Sequence, residues 1–158
     1  MSERAIPQEV LLVAACCRWP LSEAALAAIR DAASGPIDWP LFMRVVRRHR
    51  VVGLVHHALG AAHIDVPADI ALDLATRAEN IARQAMRLAG ETLRLQQLFD
   101  AERIPVVVLK GAAVAQLAYG TLGVKQTLDI DLLIPPERVR QAFRLLETDG
   151  YRLRDPAS

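Results

Sequence analysis

The chain has 158 residues, 53% of them hydrophobic, with 19 basic against 18 acidic side chains and a formal net charge of +1. That length suits one ordinary domain, or a helical lobe and a partial α/β lobe sharing a core, and near-neutrality excludes a protein whose main business is coating nucleic acid. Aromatic residues make up only 4%, which leaves the core to Ala, Leu, Val and Ile and favours helices.

Pro7 opens an apolar, alanine-rich helix that runs from Gln8 to Cys17. Cys16 and Cys17 are adjacent, a spacing that serves neither a normal disulfide nor a metal framework, so both read as buried thiols in a reducing cytoplasm. The apolar runs are too short for a transmembrane span, and Met-Ser-Glu-Arg at the start lacks the layout of a secretory signal. Ser22 caps a second helix, which stops at Ser34-Gly35-Pro36. Asp38 caps a third, with Leu41, Phe42, Val45 and Val46 on one side and Arg44, Arg47, Arg48, His49 and Arg50 around them. The arginines read as a solvated helix face rather than a grip on RNA, because acids elsewhere cancel the total charge. Val51 to Ala62 continue as an apolar helix, in which His56 and His57 lack partners at ligand spacing and read as structural or surface residues.

From Ala68 to about Arg103, apolar residues recur at helical spacing through Ile70, Leu74, Ala78, Ile81, Ala85, Leu88, Leu95 and Phe99. A helix of that length extends about 50 Å and forms a spine between a helical lobe, residues 1–102, and a second lobe, residues 103–158. Val106 to Leu109 then read as a short buried strand ending at Gly111, where a small-residue helix begins that Gly120 and Gly123 end. A second strand spans Leu128 to Ile134 and stops at Pro135-Pro136. A helix with Val139, Phe143, Leu145 and Leu146 follows as far as Gly150, and Tyr151 to Arg154 read as a third, edge strand. The fold class is therefore α+β.

The chemistry lies between the two strands. Alternation puts Asp129 and Asp131 on one face, about 7 Å apart at Cα, with Ile130, Leu132 and Ile134 on the other. A carboxylate pair in an apolar strand is costly unless a cation neutralises it, and oxygen ligands so placed suit Mg²⁺ or Mn²⁺ completed by water and substrate phosphates. The N–H groups that follow Gly111 and the ammonium of Lys110 supply an anion site beside it. A metal on the aspartates and phosphate on the turn imply a nucleotide substrate.

The run Val-Leu-Lys-Gly-Ala-Ala, Tyr119-Gly120, the basic residue at 125 and Asp-Ile-Asp-Leu-Leu-Ile over 129–134 resemble the polymerase-β-like nucleotidyltransferase superfamily, in its bacterial branch of uncharacterised nucleotidyltransferases. The resemblance implies a partial mixed sheet flanked by helices. It implies a nucleoside triphosphate, ATP foremost, held by Lys110, Gly111, Ala112 and Lys125, with Mg²⁺ or Mn²⁺ on Asp129 and Asp131 as the catalytic pair. In three respects the chain departs from that pattern. Ala112 stands where Gly or Ser is usual, and Lys125 stands where Arg is common and lacks its bidentate fork. The third carboxylate expected on a later strand has no counterpart before Ser158 except Asp155, which reads as part of a fraying end, so the chain is expected to be an N-terminal fragment.

Two other readings accompany the transferase. One is a non-catalytic module that binds a nucleotide or a protein on the same frame, and the other makes the helical lobe an RNA-gripping arm. The acceptor is not legible. Tyr119 is expected to pack at its helix end with its hydroxyl in water rather than stack on a base.

Overall fold

The computed structural model describes residues 6–154. Four short helices come first: α1 (Gln8–Cys16), α2 (Glu23–Ala32), α3 (Trp39–His49) and α4 (Val52–Ala62). The expected caps form. Ser22 Oγ accepts from the Ala25 N–H at 3.2 Å and Asp38 Oδ1 from the Leu41 N–H at 2.8 Å, which satisfies donors that a helix start leaves unpaired. Glu9, buried on α1, accepts from the Asp38 N–H at 2.9 Å and so ties the α3 cap to α1. Cys16 is buried and Cys17 half-buried, both free; burial, helped by the neighbouring Cys17, pushes the Cys16 thiol up to about 12.

The fifth helix, α5 (Ala68–Ala101), has 34 residues, which makes it about 51 Å long. It belongs to two cores. Its first half contributes Leu74 and Ala78 to a cluster with Leu12, Ile29, Phe42, Val46 and Val55. Its second half contributes Leu95 and Phe99 to a smaller cluster with Ile104 and Ala142, against which Ile130, Leu132 and Ile134 pack. No helix among the described residues is long and apolar enough to cross a membrane.

After α5 come β1 (Val107–Val108), α6 (Ala112–Tyr119), β2 (Leu132–Leu133), a 3₁₀ turn at Pro136–Arg138 and α7 (Val139–Thr148). Both strands are shorter than their sequence patterns suggest. They pair only with each other, antiparallel, with Val107 opposite Leu133 and Val108 opposite Leu132, so the described sheet is not mixed. Its inner face rests on the Phe99 core, while Val107, Leu109 and Leu133 remain exposed. With one neighbour each, the strands have little to extend along. Residues 128–131 run as irregular chain ahead of β2.

The expected third strand does not form. Gly150, at φ +98°, ends α7, and the Tyr151 N–H donates to the Leu146 carbonyl at 2.9 Å, closing the helix end. The Tyr151 hydroxyl then donates to Glu91 on α5, and 151–154 join no strand of the described sheet. Asp155 lies outside the described residues.

The same corner carries a charge network. Arg94 grips Asp149 through two bonds of 2.9 and 2.6 Å and Glu91 through two of 3.0 and 2.7 Å, fastening the end of α7 to α5. The bonds from Arg94 and then Tyr151 hold the Glu91 carboxyl down at about 2, and those from Arg94 hold Asp149 below its usual range. A carboxylate whose folded pKa is depressed stabilises the fold above its unfolded pKa and loses that contribution as pH falls through the folded one. The acid window for Glu91 therefore opens below the ordinary 4.5 and closes near about 2. Because these side chains are partly exposed, the effect is moderated by solvent. Arg94→Ala is expected to lower the melting temperature at pH 7 and to flatten its decline between pH 4.5 and 2, which paired thermal melts will read.

Candidate functional site

Antiparallel pairing explains how the two halves of the sequence motif meet. Beyond the ladder, the Leu109 N–H donates to the Asp131 carbonyl at 3.0 Å, so the register continues for one residue. Gly111 comes next to Asp129, whose carbonyl oxygen lies 3.8 Å from where a Cβ at Gly111 would sit. The outgoing end of β1 and the incoming end of β2 thus converge, and with them Lys110, Gly111, Asp129 and Asp131.

Lys110 is the hinge of this arrangement. Its Nζ lies 3.1 Å from Asp131 Oδ2, within ion-pair range. The approach misses the direction a hydrogen bond requires, and Oδ2, itself sealed from solvent, has no hydrogen-bond partner among the described residues. A buried carboxylate oxygen held by charge alone is under-satisfied. Contact at that range with Asp131, then its charge, and last the charge of Asp129 raise the Lys110 pKa above the ordinary lysine value. Both aspartates therefore act on one ammonium. They are less buried than an apolar strand would make them: Asp129 is exposed and the Asp131 side chain half-buried. Where the strand does not form, solvent reaches Asp129 and part of the Asp131 side chain but not its Oδ2.

Gly111 takes φ +82° and ψ −140°, a conformation that side chains rarely adopt, and precedes α6 with no side chain capping the helix start. Ala112 is half-buried in the first turn of α6 and offers its backbone alone. A Cβ at Gly111 would meet Thr127 Cγ2 at an ordinary 3.5 Å, so strain rather than a clash opposes substitution. Gly111→Ala is expected to cost about 1–3 kcal/mol, a fall in melting temperature of several degrees, which a thermal melt checks.

An open hollow of about 180 Å³ lies over this junction, lined by Lys110, Gly111, Lys125, Gln126, Thr127, Leu128, Asp129 and Arg50. Lys125 is half-buried and makes no ion pair among the described residues. Arg50 and Gln126 were not legible as site residues. Arg50 belongs to the cluster read as a solvated face; it is exposed, yet the left-handed turn that ends α3, φ +56°, sets it at this hollow. The sequence carries no signal of this, because the left-handed backbone of a bulky residue shows only in the fold. Tyr119, at the end of α6, packs edge-on against Trp19 at 5.5 Å between ring centres, in keeping with the packing role expected of it. His57 also lies against Trp19.

Asp129 and Asp131 Oδ2 are oxygen donors that could hold a divalent cation. Hard oxygen ligands suit Mg²⁺ or Mn²⁺, and an oxygen with unused lone pairs fits that demand. No group of three or more His, Cys, Asp or Glu side chains at metal-holding range occurs among the described residues.

No curated protein and no solved structure matches the chain at a significant level. A family profile described as "Uncharacterised nucleotidyltransferase" matches residues 35–158, from the turn before α3 through the junction of β1, α6 and β2. Since that match spans well over half of the 158 residues and includes the lysine, glycine and aspartates just described, the chain belongs to the uncharacterised nucleotidyltransferase family.

Proposed function

We propose that this chain carries the donor site of a polymerase-β-like, metal-dependent nucleotidyltransferase, which moves a nucleoside monophosphate from a triphosphate, ATP foremost, to an acceptor hydroxyl. The observation that carries the reading is the under-satisfied Asp131 Oδ2, buried beside Lys110 at the one place where the glycine turn and both aspartates converge. Asp129 and Asp131 would hold Mg²⁺ or Mn²⁺. When bound, such an ion neutralises phosphate charge and lowers the pKa of a nearby hydroxyl.

The rest belongs to the chain's own groups. The Lys110 side chain is 66% exposed, so its ammonium can exchange the Asp131 carboxylate for a phosphate oxygen without dismantling packed structure. The uncapped N–H groups of the α6 first turn face the same need for an anion that Lys110 meets. Lys125 and Arg50 add positive charge to the hollow where a triphosphate tail would collect it. In the transfer, the acceptor oxygen forms a bond to the α-phosphorus, the bond from that phosphorus to the bridging oxygen breaks, pyrophosphate leaves, and the hydroxyl proton passes to solvent. The chain's contribution is to fix the donor and spread its charge.

Titration calorimetry with ATP in the presence and absence of Mg²⁺, joined to a pyrophosphate-release assay with Mg²⁺ or Mn²⁺, tests this directly. Binding that requires the metal supports the donor site. Binding without any pyrophosphate release across a panel of hydroxyl acceptors would mark a nucleotide-binding module, a reading favoured by a Lys110 that already neutralises Asp131.

A further inference from the structure

The hollow over the glycine turn does not end at Arg50. A larger groove of about 390 Å³ adjoins it and shares both Arg50 and Gln126, so the two form one trough with Gln126 and Arg50 at the divide. On the far side the groove is lined by Arg47 of α3 and Arg77 and Asn80 of α5, with Val52 and Ile81 as its apolar wall.

Its arginines are prepared in an unusual way. Arg77 spends Nε on Asp73 at 2.7 Å, and Arg47 spends Nε on the Met43 carbonyl at 3.1 Å. Each stem is therefore held by the helix that carries it. The terminal nitrogens of both guanidiniums bond no acceptor among the described residues, and the Arg50 side chain makes no hydrogen bond there at all. A guanidinium held at Nε and open at its two ends presents the fork that fits two oxygens of one phosphate. Two guanidiniums held in this way, with Arg50 beside them, gather around one concavity. The amides of Asn80 and Gln126 match hydroxyls, and the apolar wall matches a carbon skeleton.

We infer that this groove binds the second substrate of the transfer, an acceptor that bears a terminal phosphate monoester as well as the hydroxyl that receives the nucleotide. The inference deepens the donor-site reading above and rests on it for the word acceptor. With the Asp73 carboxylate offsetting one of the three guanidiniums, the remaining double positive charge matches a compact dianion, which favours a monoester over a lone diester linkage, and only the former offers three terminal oxygens. The monoester could be carried by a small sugar or by the end of a nucleic acid strand, and the probes below separate these.

The full chain is titrated with ribose 5-phosphate and with a 5′-phosphorylated oligoribonucleotide, each against its unphosphorylated counterpart, and separately with ATP plus Mg²⁺. Arg47→Gln combined with Arg77→Gln is expected to weaken the phosphorylated probe by at least about tenfold. The same variant should hold ATP–Mg²⁺ affinity within about twofold, while Asp131→Asn shows the reverse pattern. A thermal melt confirms that the doubly substituted chain is folded; should it not be, Arg77→Gln alone, on an exposed stretch of α5, carries the test. Preference for ribose 5-phosphate assigns a small acceptor, and binding of the oligonucleotide alone assigns a strand end; both support the groove. Equal binding of phosphorylated and unphosphorylated probes overturns the proposal, as does a double variant whose loss falls on ATP–Mg²⁺ instead. A wild-type chain that binds the phosphorylated probe but not ATP–Mg²⁺ brings down the donor-site reading and leaves the phosphate subsite standing.

Discussion

Asp131→Asn is expected to abolish Mg²⁺-dependent ATP binding, weakening it by at least about 100-fold, while the fold stays intact. The substitution keeps shape and removes one negative charge. In the free chain that charge faces the Lys110 ammonium at 3.1 Å, on side chains 66% and 34% exposed, so breaking the pair moves the melting temperature little. The metal has no such alternative, because an amide oxygen is a far weaker ligand for Mg²⁺ than a carboxylate. Lys110→Ala sharpens the result. It strips the internal cation from Asp131, so Mn²⁺ alone should bind this variant more tightly than wild type, while ATP–Mg²⁺ should bind it less tightly for want of a phosphate contact. A merely structural ion pair would produce neither the opposite signs nor the metal dependence. If Asp131→Asn binds ATP–Mg²⁺ as wild type does, calorimetry removes Asp131 from the donor site.

Much of this geometry is local, and so is legible in the sequence. Ser22 and Asp38 announce their helices because a cap acts on a donor three residues away. The period that runs through Leu74, Ala78, Ala85, Leu95 and Phe99 announces α5, whose buried residues include all five. Alternation correctly sends Ile130, Leu132 and Ile134 to the core. What alternation does not contain is a neighbour. Leu128 to Asp131 have the composition of a strand, but the ladder includes only Leu132 and Leu133. Tyr151 to Arg154 alternate as an edge strand should, yet Tyr151 is drawn to Glu91, 60 residues away. Arg50 fails for a similar reason. A run of basic residues at a helix end looks alike whether it faces water or a hollow, and the choice depends on where residues 125–129 come to rest.

That resting place depends on one residue that carries no chemistry. Gly53 lies inside α4, where glycine costs about 1 kcal/mol relative to alanine. A Cβ built there would fall 2.6 Å from the Val124 carbonyl oxygen and 2.8 Å from that of Gly123, closer than a carbon and a backbone oxygen tolerate. The loop that leads to Lys125, Gln126 and Thr127 thus lies directly on the α4 backbone, and Gly123 in turn lies 3.4 Å from Ala82 of α5 when given a Cβ. Helices α4 and α5 are therefore a template for one wall of the hollow. Gly53→Ala should force that loop outward, with an overpacking cost of about 1–3 kcal/mol set against the gain in helix propensity. Gly60, in the same helix, has nothing within 4 Å of an added Cβ. Gly60→Ala collects the propensity without the clash and should raise stability by up to about 1 kcal/mol. The pair separates packing from propensity: thermal melts should move in opposite directions, and ATP–Mg²⁺ affinity should fall only for Gly53→Ala, because only that variant displaces Lys125. Equal melts for the two would mean that the loop yields without cost, and that α4 does not hold the site in place.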